Sequence, residues 1–173
     1  MRSMLFMMSI LLLICCDAES VTAATSFKAA VKSVYDGDTV TAIDANQNEF
    51  KIRLLWIDTP EVSGNAHGAK MPEGVLAREF LRTFLPVNAQ ITVWFPNSVK
   101  TDAYGRYLAV VLNNGKSAQE AIIRAGWSPI WWKYGKPAKD YRQTLQVAED
   151  QADADSAGAW GTARAWMTAK GEE

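Results

Sequence analysis

An α+β fold, a small closed β-barrel of five strands carrying about three α-helices, is what this sequence of 173 residues predicts. Three observations lead there. Residues 27 to 112 read mainly as short strands separated by turn signals. One segment with helical spacing interrupts them after the third strand. The last third, from Ser117 onward, carries helix caps and apolar residues at helical period.

The elements follow in order. Phe27 to Tyr35 is apolar with Lys28 and Lys32 interspersed and ends at Asp36-Gly37-Asp38. Asp-Gly between two β-type runs predicts a hairpin, with glycine accepting the positive φ of the turn. Thr39 to Ile43 continues as a strand, and Asp44 to Asn48 is a polar turn. From Glu49 to Ile57 the period-2 pattern puts Phe50, Ile52, Leu54 and Trp56 on one face and Lys51, Arg53, Leu55 and Ile57 on the other. Arg53 is thus a charge in an otherwise apolar run, which is costly unless it is paired or lies at an opening. Ser63 to Lys70 is a loop. Leu76, Phe80, Leu81 and Phe84 then recur at helical spacing until Pro86. Gln90 to Phe95 and Arg106 to Leu112 are two further strands. Ser117-Ala-Gln-Glu120 is a capping box opening a short helix that ends at Gly126. Asp140 to Ala157 is a longer helix with Tyr141, Leu145, Ala148 and Ala152 on one stripe. Five strands with a helix inserted after the third predict a barrel of the OB type.

The first 24 residues read differently. Met4 to Cys16 is an apolar run behind Arg2, shorter than the roughly 20 residues a membrane-spanning helix needs. It fits the core of a secretory signal peptide, with Val21-Thr22-Ala23 supplying the small residues for cleavage near Ala23 or Ala24. The expectation is a leader over residues 1 to 24, a domain over 25 to 173, and a secreted or periplasmic product. The alternative is a lipoprotein anchored through Cys16 in the Leu13-Ile14-Cys15-Cys16 segment. Both cysteines lie in this leader, so the domain has neither disulfide nor thiol chemistry. Without the leader the chain holds 17 basic and 17 acidic residues, a net charge of 0. Any surface for a polyanion must therefore be local. The single histidine, His67, argues against Ser-His triads and histidine zinc sites.

Chemistry concentrates in three segments: Asp36-Gly37-Asp38-Thr39, Ile57-Asp58-Thr59-Pro60-Glu61 after the strand holding Arg53, and Thr101-Asp102-Ala103-Tyr104-Gly105-Arg106. Alone, the first is a hairpin turn and the second a turn or cap, and Arg53 with Asp58 and Glu61 reads equally as an ion-pair cluster closing the barrel. Together they supply what metal-assisted phosphodiester hydrolysis requires. Carboxylates offer oxygen ligands to a hard divalent cation, a carboxylate positions or deprotonates water, and arginines present paired donors to phosphate.

Val34-Tyr-Asp-Gly-Asp-Thr-Val40, Arg53-Leu-Leu-Trp-Ile-Asp-Thr-Pro-Glu61 and Asp102-Ala-Tyr-Gly-Arg106 resemble, in order, the signature segments of the staphylococcal nuclease (thermonuclease) family. The resemblance covers about Phe27 to Gly161. It implies an OB-fold barrel with three helices and one Ca²⁺, with Asp38 and Asp58 as side-chain ligands, Thr59 as a backbone-carbonyl ligand and Asp36 in the outer shell. It further implies that Glu61 orients or deprotonates water, that Arg53 and Arg106 clamp the phosphate, and that Tyr104 hydrogen-bonds a nucleotide phosphate. Counted from Gly126, Trp132 and Tyr134 fall at the family's two nucleotide-flanking aromatic positions, although aromatic clusters are often core. Ala103 replaces a lysine of well-known members, which weakens one phosphate contact. The function expected is calcium-dependent hydrolysis of DNA and RNA to 3′-phosphate products by a monomer without an obligatory protein partner. The alternatives are a non-catalytic nucleic-acid-binding barrel or a calcium-dependent hydrolase of another phosphodiester.

Overall fold

The computed structural model describes residues 25–64, 69–96 and 101–173. The leader, Cys16 and His67 lie outside them. Strand β1 (Thr25–Val34) pairs antiparallel with β2 (Thr39–Ile43) and with β4 (Gln90–Phe95). β2 pairs with β3 (Glu49–Leu54), and β4 with β5 (Tyr107–Asn113), both antiparallel. β3 and β5 then pair parallel, Ile52 beside Tyr107 and Arg53 beside Leu108, and this seam closes the five-stranded barrel. A two-residue strand, β6 (Lys116–Ser117), extends β5 as a short hairpin.

Helix α1 (Pro72–Phe84) follows β3, as its place in the sequence predicts. Its inner face differs from the expected stripe. Gly74, Ala77 and Leu81 are buried, Phe80 and Phe84 half-buried, and Leu76 is 50% exposed. Close approach decides this: a Cβ on Gly74 would stand 2.5 Å from the carbonyl oxygens of Pro60 and Glu61. The helix therefore presents its smallest residue to the segment carrying the carboxylates.

Helix α2 (Ala118–Arg124) opens on the capping contact its sequence announces, with Ser117 Oγ accepting from the Glu120 amide at 3.2 Å. Helix α3 (Lys139–Ala154) buries Leu145, Ala148 and Ala152 along its stripe. Two helices beyond the expected three follow, α4 (Ala159–Thr162) and α5 (Arg164–Gly171). They pack as a small second cluster in which Ala152, Ala159, Trp160 and Met167 are buried. Trp160 is packing, as its place near the end of the chain suggests. Among the described residues, no helix is long and apolar enough to cross a membrane.

Two local expectations are corrected. Strand β3 stops at Leu54 instead of running to Ile57: Trp56 takes φ +62°, and the chain turns with Leu55, Trp56 and Ile57 all fully buried. Gly37 is not in the left-handed region. It is required for room, because a Cβ there would meet Thr59 at 2.7 Å and Ala77 at 2.8 Å.

Candidate functional site

The β1–β2 turn, the segment after β3 and the start of β5 meet at one end of the barrel. There Asp36, Asp38, Arg53, Asp58, Glu61, Tyr104, Arg106 and Tyr134 line an open cavity of about 410 Å³. Thr59 is buried directly behind it.

Arg53 is the pivot. Its placement in β3 points the side chain inward, where it is 4% exposed. One terminal nitrogen, Nη1, donates to the carbonyls of Leu54 (2.9 Å) and Ile57 (2.8 Å), which sets the plane of the guanidinium. The other, Nη2, lies between Asp58 Oδ1 at 2.7 Å and Asp38 Oδ2 at 3.2 Å. Burial opposes the charge on Arg53, but Asp38, Asp58 and Asp36 outweigh it and raise its pKa. The lone arginine in an apolar strand is thus both paired and at an opening.

Asp38 is 6% exposed and held from several sides. Thr39 Oγ1 donates to Oδ1 at 3.0 Å, and the Thr59 amide and hydroxyl donate to Oδ2 at 3.1 and 3.3 Å. Asp36 caps the turn by accepting the Asp38 amide at 3.1 Å. Burial, and then the charge of Asp38, push the Asp36 carboxyl up to about 8. Asp58 is also raised, by burial and by Asp38. Three carboxyl groups are thus crowded on one wall with less positive charge than they would neutralise if all ionised.

The Asp58 segment is tied to the stretch after α2. Ile57 bridges Ile130, the Trp131 amide donates to the Trp56 carbonyl at 2.9 Å, and the Asp58 amide donates to Ser128 Oγ at 2.9 Å. Glu61 is half-buried, and its carbonyl accepts the Met71 amide at 3.0 Å just ahead of α1. On the far wall, Asp102 accepts the amides of Tyr104 and Arg106 at 3.0 Å each and pairs with Arg106 Nε at 2.8 Å. Burial would raise Asp102, but these donors from Arg106 and Tyr104 dominate and hold it below the usual carboxylate range. Tyr104 is 72% exposed, its ring 5.5 Å from the Arg106 guanidinium carbon.

The aromatic wall of the cavity holds one of the two expected aromatics and a neighbour of the other. Tyr134 faces the cavity, with Trp131 beside it in an edge-on contact at 6.1 Å. Trp132 packs against the hydrophobic core. Trp131 carries the Arg53 guanidinium at 5.5 Å, Lys133 at 4.8 Å and Lys170 at 5.5 Å from its ring. Counting from Gly126 does not tell which neighbouring tryptophan lines the cavity. The pairing of Trp131 with Trp56 decides it. Tyr35, Lys133, Lys170 and Glu173 also line the cavity. Tyr35 and Lys133 adjoin motif residues, whereas nothing in the local pattern around Lys170 signals its arrival here.

A hard divalent cation suits the donor chemistry of the Asp36–Asp38–Asp58 wall, which is oxygen only, anionic and short of positive charge. Among the described residues, no three carboxylate, histidine or cysteine side chains form a ready-made metal cage. Asp38 and Asp58 are engaged instead by Arg53 and Lys170.

Fold and cavity together define a closed barrel with carboxylates and two guanidiniums gathered at one end. Residues 51–162 match the model of the staphylococcal nuclease homologue family, and the chain belongs to that family. The matched stretch holds Arg53, Asp58, Thr59, Glu61, Tyr104, Arg106, Trp132 and Tyr134, while Asp36 and Asp38 precede it and Lys170 follows it. Endonuclease YncB of Bacillus subtilis is 29% identical over 72% of this chain and 57% of its own length. An uncharacterized protein of Bacillus anthracis is 34% identical over 77% and 60%. The SPbeta prophage-derived endonuclease YokF of Bacillus subtilis is 29% identical over 72% and 41%. The chain therefore corresponds to only part of the length of each of these relatives.

Proposed function

We propose that this chain is an exported, calcium-dependent nuclease that hydrolyses phosphodiester bonds of DNA and RNA. The observation that carries the reading is the convergence of Arg53 and Arg106 with Asp38, Asp58 and Glu61 on one open cavity. Membership of a nuclease family and two relatives named endonucleases support it. Export rests on the leader sequence, with cleavage near Ala24 favoured over lipidation of Cys16.

Asp38 and Asp58, with the Thr59 carbonyl, would hold the cation, and Asp36 would stand behind them. Bound there, Ca²⁺ would supply positive charge against the phosphate and the attacking oxygen. Arg53 and Arg106 hold the non-bridging oxygens and stabilise the charge that grows as phosphorus becomes five-coordinate. Glu61 orients a water and accepts its proton as the water oxygen bonds to phosphorus. The bond from phosphorus to the 5′ oxygen breaks in line, and that oxygen takes a proton from solvent. The products carry a 3′-phosphate and a 5′-hydroxyl. Tyr104 hydrogen-bonds a neighbouring phosphate, and Tyr134 flanks the base. The second flanking role belongs to Trp132 by position, and Trp131, which lines the cavity beside Tyr134, is the other aromatic able to take it.

The test is digestion of single-stranded DNA by residues 25 to 173 with Ca²⁺, with EGTA, and with Glu61→Ala. Cleavage that needs both calcium and Glu61 is expected. Intact DNA under all conditions from a folded protein moves the reading to a binding barrel or another phosphodiester.

A further inference from the structure

Helix α5 lies beyond the stretch that matches the family, yet its last turn reaches the carboxylate wall. Lys170 Nζ stands 3.1 Å from Asp58 Oδ2, with both side chains more than four-fifths buried. The ammonium also sits 5.5 Å from the Trp131 ring centre and donates to Glu173 Oε2 at 2.9 Å. The two oxygens of Asp58 are thereby shared out: Oδ1 faces Arg53, and Oδ2 faces Lys170. The arm is held in place independently of that ion pair. Met167 of α5 is fully buried against Trp160 and Ala152, and a Cβ on Gly171 would stand 3.7 Å from Pro129.

We infer that Lys170 is a positioning residue of the site: from α5 it holds the outer oxygen of Asp58 and competes with the divalent cation for it. This rests on the proposed role of Asp58 as a cation ligand. An ammonium and a divalent cation cannot both sit about 3 Å from one carboxylate oxygen without strong mutual repulsion in a partly buried site. Cation binding therefore displaces the Lys170 head or proceeds against its charge, and in either case the lysine lowers the affinity. In return, it keeps Asp58 ordered and neutralised when no cation is bound. Lys133, the other lysine on the Trp131 ring, makes no ion pair with Asp58 and serves as the control for a general change of charge.

The experiment is calorimetric titration of residues 25 to 173 with Ca²⁺, without nucleic acid, for the unsubstituted protein, Lys170→Gln, Lys170→Arg, Lys133→Gln and Asp58→Asn. Competition predicts about tenfold tighter binding for Lys170→Gln, as removal of a like charge at this distance implies. Lys170→Arg should stay near the unsubstituted affinity, and Lys133→Gln should change it far less than Lys170→Gln. A lysine that only supports the fold would weaken binding when replaced, so tightening separates the two roles. Unchanged or weaker binding in folded Lys170→Gln overturns the inference, as does equal tightening in Lys133→Gln. Asp58→Asn distinguishes the failures. If it binds calcium as well as the unsubstituted protein, the assignment of Asp58 as a ligand fails first, and the inference falls with it.

Discussion

Ser128 holds Asp58 across 70 residues of chain. Its hydroxyl accepts the Asp58 amide at 2.9 Å and lies 2.9 Å from the Asp58 carbonyl and 2.7 Å from that of Pro129. Ser128 is fully buried. Ser128→Ala should cost about 1–3 kcal/mol in urea unfolding, the range for a buried polar group left without its partner. Calcium affinity should fall with it, because the Asp58 backbone loses its anchor. A variant as stable as the unsubstituted protein would show that the turn holds itself.

Gly74 gives a prediction in which two effects carry opposite signs. It lies inside α1, where alanine is intrinsically about 1 kcal/mol better than glycine. Against that, its Cβ would meet the Pro60 and Glu61 carbonyls at 2.5 Å, backbone atoms that move only with the whole segment. Overpacking of this kind costs about 1–3 kcal/mol. Gly74→Ala should therefore lower the thermal midpoint, and cleavage should fall because Glu61 shifts. A raised midpoint would mean that the helix slides to make room.

Arg106 and Asp102 should separate by kinetic parameter. On the proposed role of Arg106 as a phosphate clamp, Arg106→Ala should lower kcat on the order of 100- to 1000-fold. Asp102→Ala leaves the guanidinium present but frees its Nε and both turn amides. Its loss of kcat should be smaller, and Asp102→Asn, which keeps the shape of the acceptor, should recover part of it. Equal losses for Arg106→Ala and Asp102→Ala would give Asp102 a part in the chemistry itself.

Tyr141 carries a pH dependence. It shares a hydrogen bond with Ser117 Oγ at 2.6 Å, and burial pushes its hydroxyl up from 10 to about 12. The folded chain then keeps a proton that the unfolded chain has lost, so stability is full below pH 10 and declines as pH rises towards 12. Two pH units correspond to roughly 2–3 kcal/mol. The difference in unfolding free energy between the unsubstituted protein and Tyr141→Phe, followed from pH 8 to 12, should show this decline. A pH-independent difference would place Tyr141 in an ordinary solvent-facing environment.

The parts of the fold legible in sequence are those where a local signal and the tertiary contact agree. β4 appears with the expected bounds because its alternation matches its burial, and β2 because turns bound it on both sides. α2 begins where Ser117 and Glu120 say it should. The motif residues Asp38, Arg53 and Arg106 lie at strand ends, Asp58 lies in the turn after β3, and all four share one cavity. Three features were not legible, for distinct reasons. The halt of β3 at Leu54 hides in an unbroken apolar run, because Trp56 turns the chain without glycine or proline. The tryptophan that lines the cavity is set by a pairing between Trp131 and Trp56, far apart in sequence. Lys170 arrives from a helix whose docking rests on Met167 and Trp160, neither of which marks a site.

The parallel seam between β3 and β5 also sets a timetable. Arg53 lies near the end of one of its strands and Arg106 stands immediately before the other, so the two guanidiniums reach one cavity only once that seam has formed. A helix and β4 lie between them in the chain, and pairings of such distant segments slow folding. A nascent or half-folded chain thus holds its arginines apart. Whatever the pair does together therefore requires the closed barrel.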